Sequence, residues 1–278
     1  MAPDLQARVR ELLLELRLRD AEQALSEMLP DEPAKRVAAL ETMRVVLEHE
    51  AARQAERRIA RRIDAAKFPD MPTLETYDFD FQTGLDRGLV MDLAHLTWVD
   101  NKEDLVLIGQ SGTGKSHIAN ALCLIACKKQ RYRVLYTTCA DMLTTLWASL
   151  ADNSLSQTLK RYTSPSLLLI DDLGYDPIEQ EHAREAQLLY KVLEGRHEKV
   201  STIVTSNLSA DAWADYLGNH YLTVALLDRL LYHGTSINIQ GPSWRLHQHN
   251  LRQAELARQL EGRSDTAQNP EPETDPEP

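Results

Sequence analysis

Eight residues near the middle of the chain have the types and order that bind phosphate groups. Gly109 through Ser116 spell GQSGTGKS, which matches the pattern GxxxxGK[ST]. Glycines at these spacings let backbone N–H groups surround phosphate oxygens, and a following helix directs its positive end at the same anion. Lys115 would reach the β- and γ-phosphates, and the Ser116 hydroxyl would bind Mg²⁺. The motif predicts a nucleoside triphosphate site, and a glycine-rich turn without a ligand is the alternative.

Two carboxylates and one amide follow later apolar runs and are candidates for the same site. The run 167–170 is typical of a buried parallel strand and ends in Asp171 and Asp172. Asp171 is placed to hold Mg²⁺ and Asp172 to orient or deprotonate a water, with a surface turn as the alternative. Asn207 follows the run 200–206, where its amide could hold the same water or cap the next helix.

Two late arginines are further candidates. Arg229 follows Asp228 on a predicted helix, and Arg245 follows Trp244. The planar guanidinium group suits phosphate oxygens, and one supplied by a neighbouring subunit raises phosphoryl-transfer rates by about 10³–10⁵-fold. A surface ion pair is the alternative for each arginine, because sequence spacing does not place either one at the phosphates.

From residue 77 onward, β-rich runs alternate with helical patterns, and these elements must position the candidates. Strands are predicted at 104–109, 132–137, 166–171, 200–206 and 235–239, and helices at 115–130, 140–162, 181–197 and 209–231. This alternation implies parallel strands joined by right-handed crossovers, hence an α/β fold with a parallel central sheet flanked by helices. The phosphate loop would lie at the carboxyl end of the first strand, where such sheets bind ligands.

The rest of the chain divides at composition changes. Apolar residues recur at helical spacing in the first part of the sequence, and the prolines of 68–72 then break the pattern. We therefore predict a small all-helical N-terminal domain over 1–68 for binding DNA or a partner, and an ATPase-type domain over 69–250. The segment 251–278 ends in an acidic, proline-containing stretch, which predicts a disordered tail.

Composition excludes several classes of protein. The 278 residues are 43% hydrophobic, yet no run approaches the roughly 18 apolar residues of a membrane span. The N-terminus is amphipathic and charged, unlike a signal peptide, so we expect a cytoplasmic protein that makes no membrane contact. Three cysteines without C-x-x-C spacing favour buried thiols over a disulfide or a metal site.

Positive charge is concentrated locally although the net charge is −11. The candidate DNA-binding residues are Arg53, Arg57, Arg58, Arg61, Arg62 and Lys67. Such a basic helix would bind phosphates without regard to sequence and with strong salt dependence. A second cluster comprises Lys128, Lys129, Arg131 and Arg133. For both clusters a solvated helix face is the alternative.

Together these segments resemble the IstB-like ATP-binding proteins, the ATPase helpers of transposition encoded beside a transposase in insertion sequences. That family is close to the DnaC-type helicase loaders. The resemblance covers about residues 5–250 and rests on GQSGTGKSH, LLLIDDLGYDP, TIVTSN, LLDRLLYHGTSINIQGPSWR and FPDMPTLETYDFDF.

The resemblance implies an AAA+ P-loop NTPase that forms a homo-oligomer on double-stranded DNA and binds ATP and Mg²⁺ between subunits. It implies ATP contacts from Gly109, Gln110, Ser111, Gly112, Thr113, Gly114, Lys115, Ser116 and His117, with Phe79 or Phe81 beside the adenine. It further implies a Walker B pair in Asp171 and Asp172, sensor I in Asn207, a trans-acting arginine finger in Arg229 and sensor II in Arg245. Most AAA+ enzymes carry Glu where Asp172 stands, which implies slow hydrolysis, and we expect no room for a helical lid after Arg245.

The leading hypothesis is an ATP-dependent assembly factor that helps a transposase act on target DNA. The alternative is a replicative helicase loader of the DnaC type, whose N-terminal helices would bind a helicase instead. A small-molecule kinase built on the phosphate loop is a third possibility.

Overall fold

The computed structural model describes residues 2–129, 131–175 and 183–267. By its internal contacts the chain divides into two compact units, with the division between residues 65 and 66. The division falls close to the predicted domain boundary at residue 68. The prolines of the predicted tail, within 268–278, lie outside the described residues.

The first unit is helical and has its own apolar core. Its helices are α1 (Ala2–Glu15), α2 (Arg19–Met28) and α3 (Pro33–Ala66), the last of which continues one residue past the division. Apolar residues that recur at helical spacing form this core. Val9, Leu13, Leu25 and Leu40 belong to it and are all nearly inaccessible to solvent. The 34-residue helix α3 begins with Pro33. Proline suits this first position because its ring fixes φ at a helical value.

The second unit contains the predicted α/β alternation. After a short 3₁₀ turn at Leu74–Thr76, its helices are α4 (Arg87–Ala94), α5 (Thr97–Asp100), α6 (Lys115–Lys128), α7 (Cys139–Ala148), α8 (Leu155–Thr163), α9 (Ala183–Arg196), α10 (Ala212–Leu217), α11 (His220–Leu231) and α12 (Trp244–Ala267). Its strands are β1 (Leu105–Ile108), β2 (Val134–Thr138), β3 (Leu167–Leu173), β4 (Ser201–Ser206) and β5 (Thr235–Asn238).

All five strands are parallel and form one sheet in the order β2-β3-β4-β1-β5. β4 is buried along its whole length, as expected for a central strand covered by helices on both faces. Because β3, β4 and β1 are neighbours in the sheet, the loops that follow these three strands leave the sheet side by side. The predicted parallel sheet flanked by helices is confirmed.

Two long helices predicted from the sequence are each broken in two. The helix predicted at 140–162 is interrupted where Asn153 adopts a left-handed φ of 58° and the side chain of Asp152 accepts the backbone N–H of Ser154. The helix predicted at 209–231 is interrupted at Gly218, whose φ is 63°, and the next helix is capped by the side chain of Asn219. Turn-forming residues in both gaps explain the breaks.

The end of the second unit differs from the prediction. The segment 251–267 was predicted to be disordered, but it forms the last part of α12. Arg245 is the second residue of this helix, which begins at Trp244 and runs for 24 residues. No proline occurs between 244 and 267, so nothing in this stretch prevents a helix.

No helix within the described ranges is long and apolar enough to cross a membrane.

Candidate functional site

The phosphate loop joins the end of β1 to the start of α6 and has a backbone that requires glycine. Gly112 and Gly114 have φ angles of 81° and 94°, in the left-handed region that other residues disfavour. A Cβ atom at Gly112 would overlap the hydroxyl of Ser243, and one at Gly114 would overlap the ring of Tyr77. The loop therefore packs closely against other parts of the same chain on one side, while its inner surface stays open for a ligand.

This loop lines a cavity of about 490 Å³ at the carboxyl ends of the strands. The lining includes residues 111–117 together with Asp172, Asn207 and Arg245. Candidates predicted from four separate stretches of sequence are thus brought together at one site. The volume lies within the range of about 300–1,000 Å³ that small-molecule sites occupy.

Lys115 is nearly buried and lies among charges of both signs. Its Nζ donates a hydrogen bond to the carbonyl oxygen of Gln110 at 2.9 Å. Burial lowers the pKa of Lys115, Asp172 and Asp171 act in the opposite direction, and Arg245 lowers it further. Burial disfavours the ammonium form, so an added anion such as a phosphate would stabilise it.

The two residues predicted to hold Mg²⁺ are in direct contact. Ser116 Oγ donates to Asp171 Oδ1 at 2.9 Å. Asp171 is 4% exposed, and its carboxylate also accepts hydrogen bonds from Thr205 Oγ1 and, at 3.3 Å, from the hydroxyl of Tyr136. A hydroxyl beside a carboxylate fits Mg²⁺, which takes one or two protein carboxylates together with phosphate oxygens and waters.

Asp172 and Asn207 both line the cavity, from the ends of neighbouring strands. Asp172 adopts a left-handed φ of 58°, a conformation that aspartate tolerates better than most residues. The capping alternative for Asn207 does not hold, because α10 begins at Ala212 and its N-cap is Asp211.

Of the two phenylalanines proposed beside the adenine, Phe81 lines the cavity. Its ring packs edge-on against Trp244 at 4.9 Å and beside His247 at 4.7 Å, both on α12. The lining does not include Phe79, whose ring contacts Tyr77 at 4.7 Å. Phe81 is therefore the one of the pair that can touch a ligand in this cavity.

Sequence reasoning missed the hydrogen bonds by which Tyr77 and Gln82, in the segment before α4, contact the phosphate loop. The hydroxyl of Tyr77 and the amide nitrogen of Gln82 both donate to the carbonyl oxygen of Thr113, at 3.2 and 2.9 Å. The His117 side chain, whose ring also lines the cavity, bonds through Nε2 to the carbonyl oxygen of Thr73 at 2.8 Å. The resemblance indicated that residues 77–81 lie near the adenine, but not these hydrogen bonds to the phosphate loop.

With this geometry established, comparison with known proteins decides the family. A family model described as IstB-like ATP binding protein matches residues 11–252. The chain belongs to the IstB-like ATP-binding protein family. Members of this family are described as ATP-binding proteins, and the cavity lined by the phosphate loop is the candidate nucleotide site.

Relatives of this IstB-like chain come from several bacteria. The IS21 insertion-sequence ATP-binding protein of Pseudomonas aeruginosa is 35% identical over 235 residues, which cover 84% of this chain and 87% of that protein. The IS232 insertion-sequence ATP-binding protein of Bacillus thuringiensis subsp. berliner is 31% identical over 234 residues, covering 84% and 92%. Among solved structures, the DnaC helicase loader is similar with a TM-score of 0.49 at 20% identity, over 65% of this chain and 99% of that chain.

Arg229 of this IstB-like chain does not line the cavity that contains the phosphate loop. It lies on α11, forms an ion pair with Glu194 and stacks 4.8 Å from the ring centre of Tyr190. Arg229 therefore forms an ion pair, which was the alternative drawn from the sequence. Its partner is Glu194 on α9 and not the adjacent Asp228. The hydrogen bond from Arg229 lowers the pKa of Glu194.

The six predicted DNA-binding residues lie at the end of α3 or just beyond it. Arg53, Arg57 and Arg58 each lie 3.9 Å from a glutamate, and these long, solvent-exposed ion pairs are weak. These three ion pairs therefore do little to hold the arginines in place. Lys67 follows the end of the helix in a left-handed conformation, with φ of 64°.

The second basic cluster makes local contacts. Arg131 pairs with Asp100 at 2.6 Å, and Arg133 donates to the hydroxyl of Ser164. The Lys129 ammonium donates to the carbonyl oxygen of His95. These side chains are thus bonded within the protein, and they follow the end of α6 at Lys128 and do not form a solvated helix face.

Proposed function

We propose that this protein is an ATP-dependent, DNA-binding AAA+ assembly factor that helps a transposase act on target DNA. The observation that most supports it is the convergence of Lys115, Asp172, Asn207 and Arg245 on one ATP cavity that Arg229 does not reach. The relatives' names place them in insertion sequences, which supports transposition as the setting.

The residues of the cavity divide the work of ATP hydrolysis. Ser116 and Asp171 would hold a Mg²⁺ ion, which would supply positive charge to the phosphate oxygens. Lys115 would bind the β- and γ-phosphate oxygens. Asp172 would orient the attacking water and accept its proton at a carboxylate oxygen, and Asn207 would hold the same water through its side-chain amide. Because the Asp172 side chain is short, hydrolysis is slow and the protein acts as a switch.

Arg229 would complete the ATP site of a neighbouring subunit. In each protomer its guanidinium group is retained by Glu194 and Tyr190, outside that protomer's own ATP cavity. ATP bound at the junction of two subunits would therefore hold a homo-oligomer together. The basic end of α3 would bind double-stranded DNA through its phosphates, with affinity that falls as salt rises.

A trans-complementation experiment tests the shared site. Arg229→Ala and Lys115→Ala should each abolish most ATP hydrolysis, and a mixture of the two variants should regain part of it. Regain follows because an intact Lys115 and an intact Arg229 meet at some junctions of the mixed oligomer. Arg161→Ala, which removes an exposed arginine on α8, is the matched control and should hydrolyse ATP like the wild type.

Assembly on DNA is measured in the same preparation by analytical ultracentrifugation. Wild-type protein with ATP and double-stranded DNA should form oligomers that dissociate as salt is raised. Absence of such oligomers, together with unchanged hydrolysis by Arg229→Ala, would show the proposal to be wrong.

Pull-down with the two candidate partners decides between the related functions. Retention of the transposase encoded beside this protein supports the proposal, and retention of the replicative helicase instead supports the DnaC-type loader. ATP turnover that depends on a metabolite and ignores DNA would indicate a kinase.

A further inference from the structure

β3 and β4 fall out of register at the two carboxylates of the ATP site. Ile170 lies opposite Val204, and the next paired residues are Leu173 and Ser206. Two residues of β3, Asp171 and Asp172, therefore share one position of β4, that of Thr205. Two residues opposite one define a β-bulge, a feature that redirects side chains and recurs beside active sites.

The hydroxyl of Thr205 contacts both residues of this bulge. Its Oγ1 donates to Asp171 Oδ1 and accepts the backbone N–H of Asp172 at 2.9 Å. A hydroxyl has one donor and two acceptor positions, so a single side chain can serve both carboxylate residues at once. Thr205 is completely buried, which excludes water as a substitute partner for either group.

The bulge explains how consecutive residues serve the same site. In a regular strand, neighbouring side chains point to opposite faces of the sheet. Here Asp172 takes a left-handed conformation and lines the cavity, while the Asp171 carboxylate is buried against Ser116. The N–H bond to Thr205 holds the Asp172 backbone in this conformation.

We infer that Thr205 is a positioning residue whose hydroxyl sets Asp171 for the metal ion and Asp172 for the attacking water. The roles of the two carboxylates rest on the proposed function, whereas the bond network belongs to the fold itself. Another buried threonine of β4, Thr202, lies at the opposite end of the strand, where its hydroxyl accepts from Arg196 at 3.0 Å. It offers a matched control for the loss of a buried hydroxyl.

The experiment compares Thr205→Val, Thr205→Ser and Thr202→Val. For each, the affinity for a non-hydrolysable ATP analogue is measured by calorimetry across a MgCl₂ titration, alongside ATP turnover and thermal unfolding. Thr205→Val should bind the analogue without Mg²⁺ as the wild type does, and should need roughly tenfold more Mg²⁺ for half of the metal-dependent gain in affinity. At saturating Mg²⁺ its turnover should still fall by a similar factor, because Asp172 is displaced, and the KM for ATP should be unchanged.

Thr205→Ser keeps the hydroxyl and should restore both the Mg²⁺ requirement and the turnover to within about twofold of the wild type. Thr202→Val should unfold at a lower temperature but keep the wild-type Mg²⁺ requirement. The inference is overturned if Thr205→Val shows the wild-type Mg²⁺ requirement, or if Thr205→Ser is as impaired as the valine variant.

Two further results remain decisive. If Thr205→Val does not fold, Thr205→Ala is measured in its place, and failure of both to fold overturns the inference, because the hydroxyl is then needed for the fold itself. If the wild type hydrolyses no ATP, the proposed function fails, while the Mg²⁺ titration with the analogue still decides the position of Asp171.

Discussion

The two ends of the parallel sheet both carry buried charge, but they use it differently. At the carboxyl end, the buried Lys115 and the exposed Asp172 line the cavity that contains the phosphate loop. At the amino end, Arg196 is 1% exposed and donates to the hydroxyl of Thr202 and to the carbonyl oxygens of Tyr162, Pro165 and Ser201. Charge at one end faces space for a ligand, and charge at the other end is bonded to the chain itself.

The amino end joins the loops that precede β3, β4 and β1. Asp104, just before β1, accepts the backbone N–H of Thr202 at 2.6 Å. Burial lowers the pKa of Arg196 to about 9, with Asp104 acting against that change. An ion held this way is costly to bury, and its removal leaves several buried acceptors without a donor. The comparison teaches that burial alone does not mark a functional charge, whereas burial beside a cavity does.

The largest effect is expected at the amino end. Arg196→Met should reduce the free energy of unfolding by about 3–5 kcal/mol, because three carbonyl oxygens and one hydroxyl lose their donor. Urea denaturation measures the change. Arg161→Met, at an exposed position on α8, should cost little. A loss below about 1 kcal/mol for Arg196→Met would mean that the guanidinium group does not hold these loops together.

Lys115 should behave in the opposite way. Lys115→Met is expected to weaken ATP binding by at least about tenfold, since a charge-assisted contact to phosphate is lost. Thermal unfolding without nucleotide should be unchanged or shifted upward, because burial lowers the pKa of this ammonium and so disfavours its charged form. Calorimetric titration with ATP and thermal unfolding are the two measurements.

Lys128→Met, at the exposed C-terminal end of the same helix, is the matched control and should leave ATP affinity as it is. If Lys115→Met lowers the unfolding temperature as strongly as Arg196→Met, the contrast between the two ends of the sheet fails.

The sequence located the carboxyl end of the sheet well because its signals are local. The run 167–170 marks a buried strand through its composition, and Asp171 and Asp172 follow it directly. The glycines of the phosphate loop are likewise required by the conformation of their own backbone. A short window of sequence carries each of these signals.

The residues that were missed depend on partners far along the chain. Arg196 resembles any basic residue near a helix C-terminus, and its role appears only when 162–165 and 201–202 are brought beside it. Thr205 and Tyr136 resemble ordinary strand formers, and their contacts with Asp171 depend on strand order. The position of β1 between β4 and β5 likewise does not correspond to any pattern within a short stretch of sequence.

Some missed features did have a local signal. Asp152, Asn153 and Ser154 are turn-forming residues in sequence, and they lie where the predicted helix 140–162 breaks. Gly218 followed by Asn219 is a helix end followed by a helix cap. Apolar residues recur at helical spacing on both sides of each break, so the pattern predicts one continuous helix in each case.

The smallest expected effect concerns the pH dependence of the amino end. Burial raises the pKa of Asp104 from 3.8 to about 6. The folded state therefore holds this proton more tightly than the unfolded chain, and stability from this group is lost as the pH rises from about 4 through 6. Asp104→Asn keeps an oxygen acceptor for Thr202 but does not titrate. Relative to the wild type, it should gain about 1–2 kcal/mol in free energy of unfolding between pH 4 and pH 7, measured by urea denaturation. A difference that stays constant across this range would show that Asp104 has the same pKa in the folded and unfolded states, so that its burial does not disfavour the charged form.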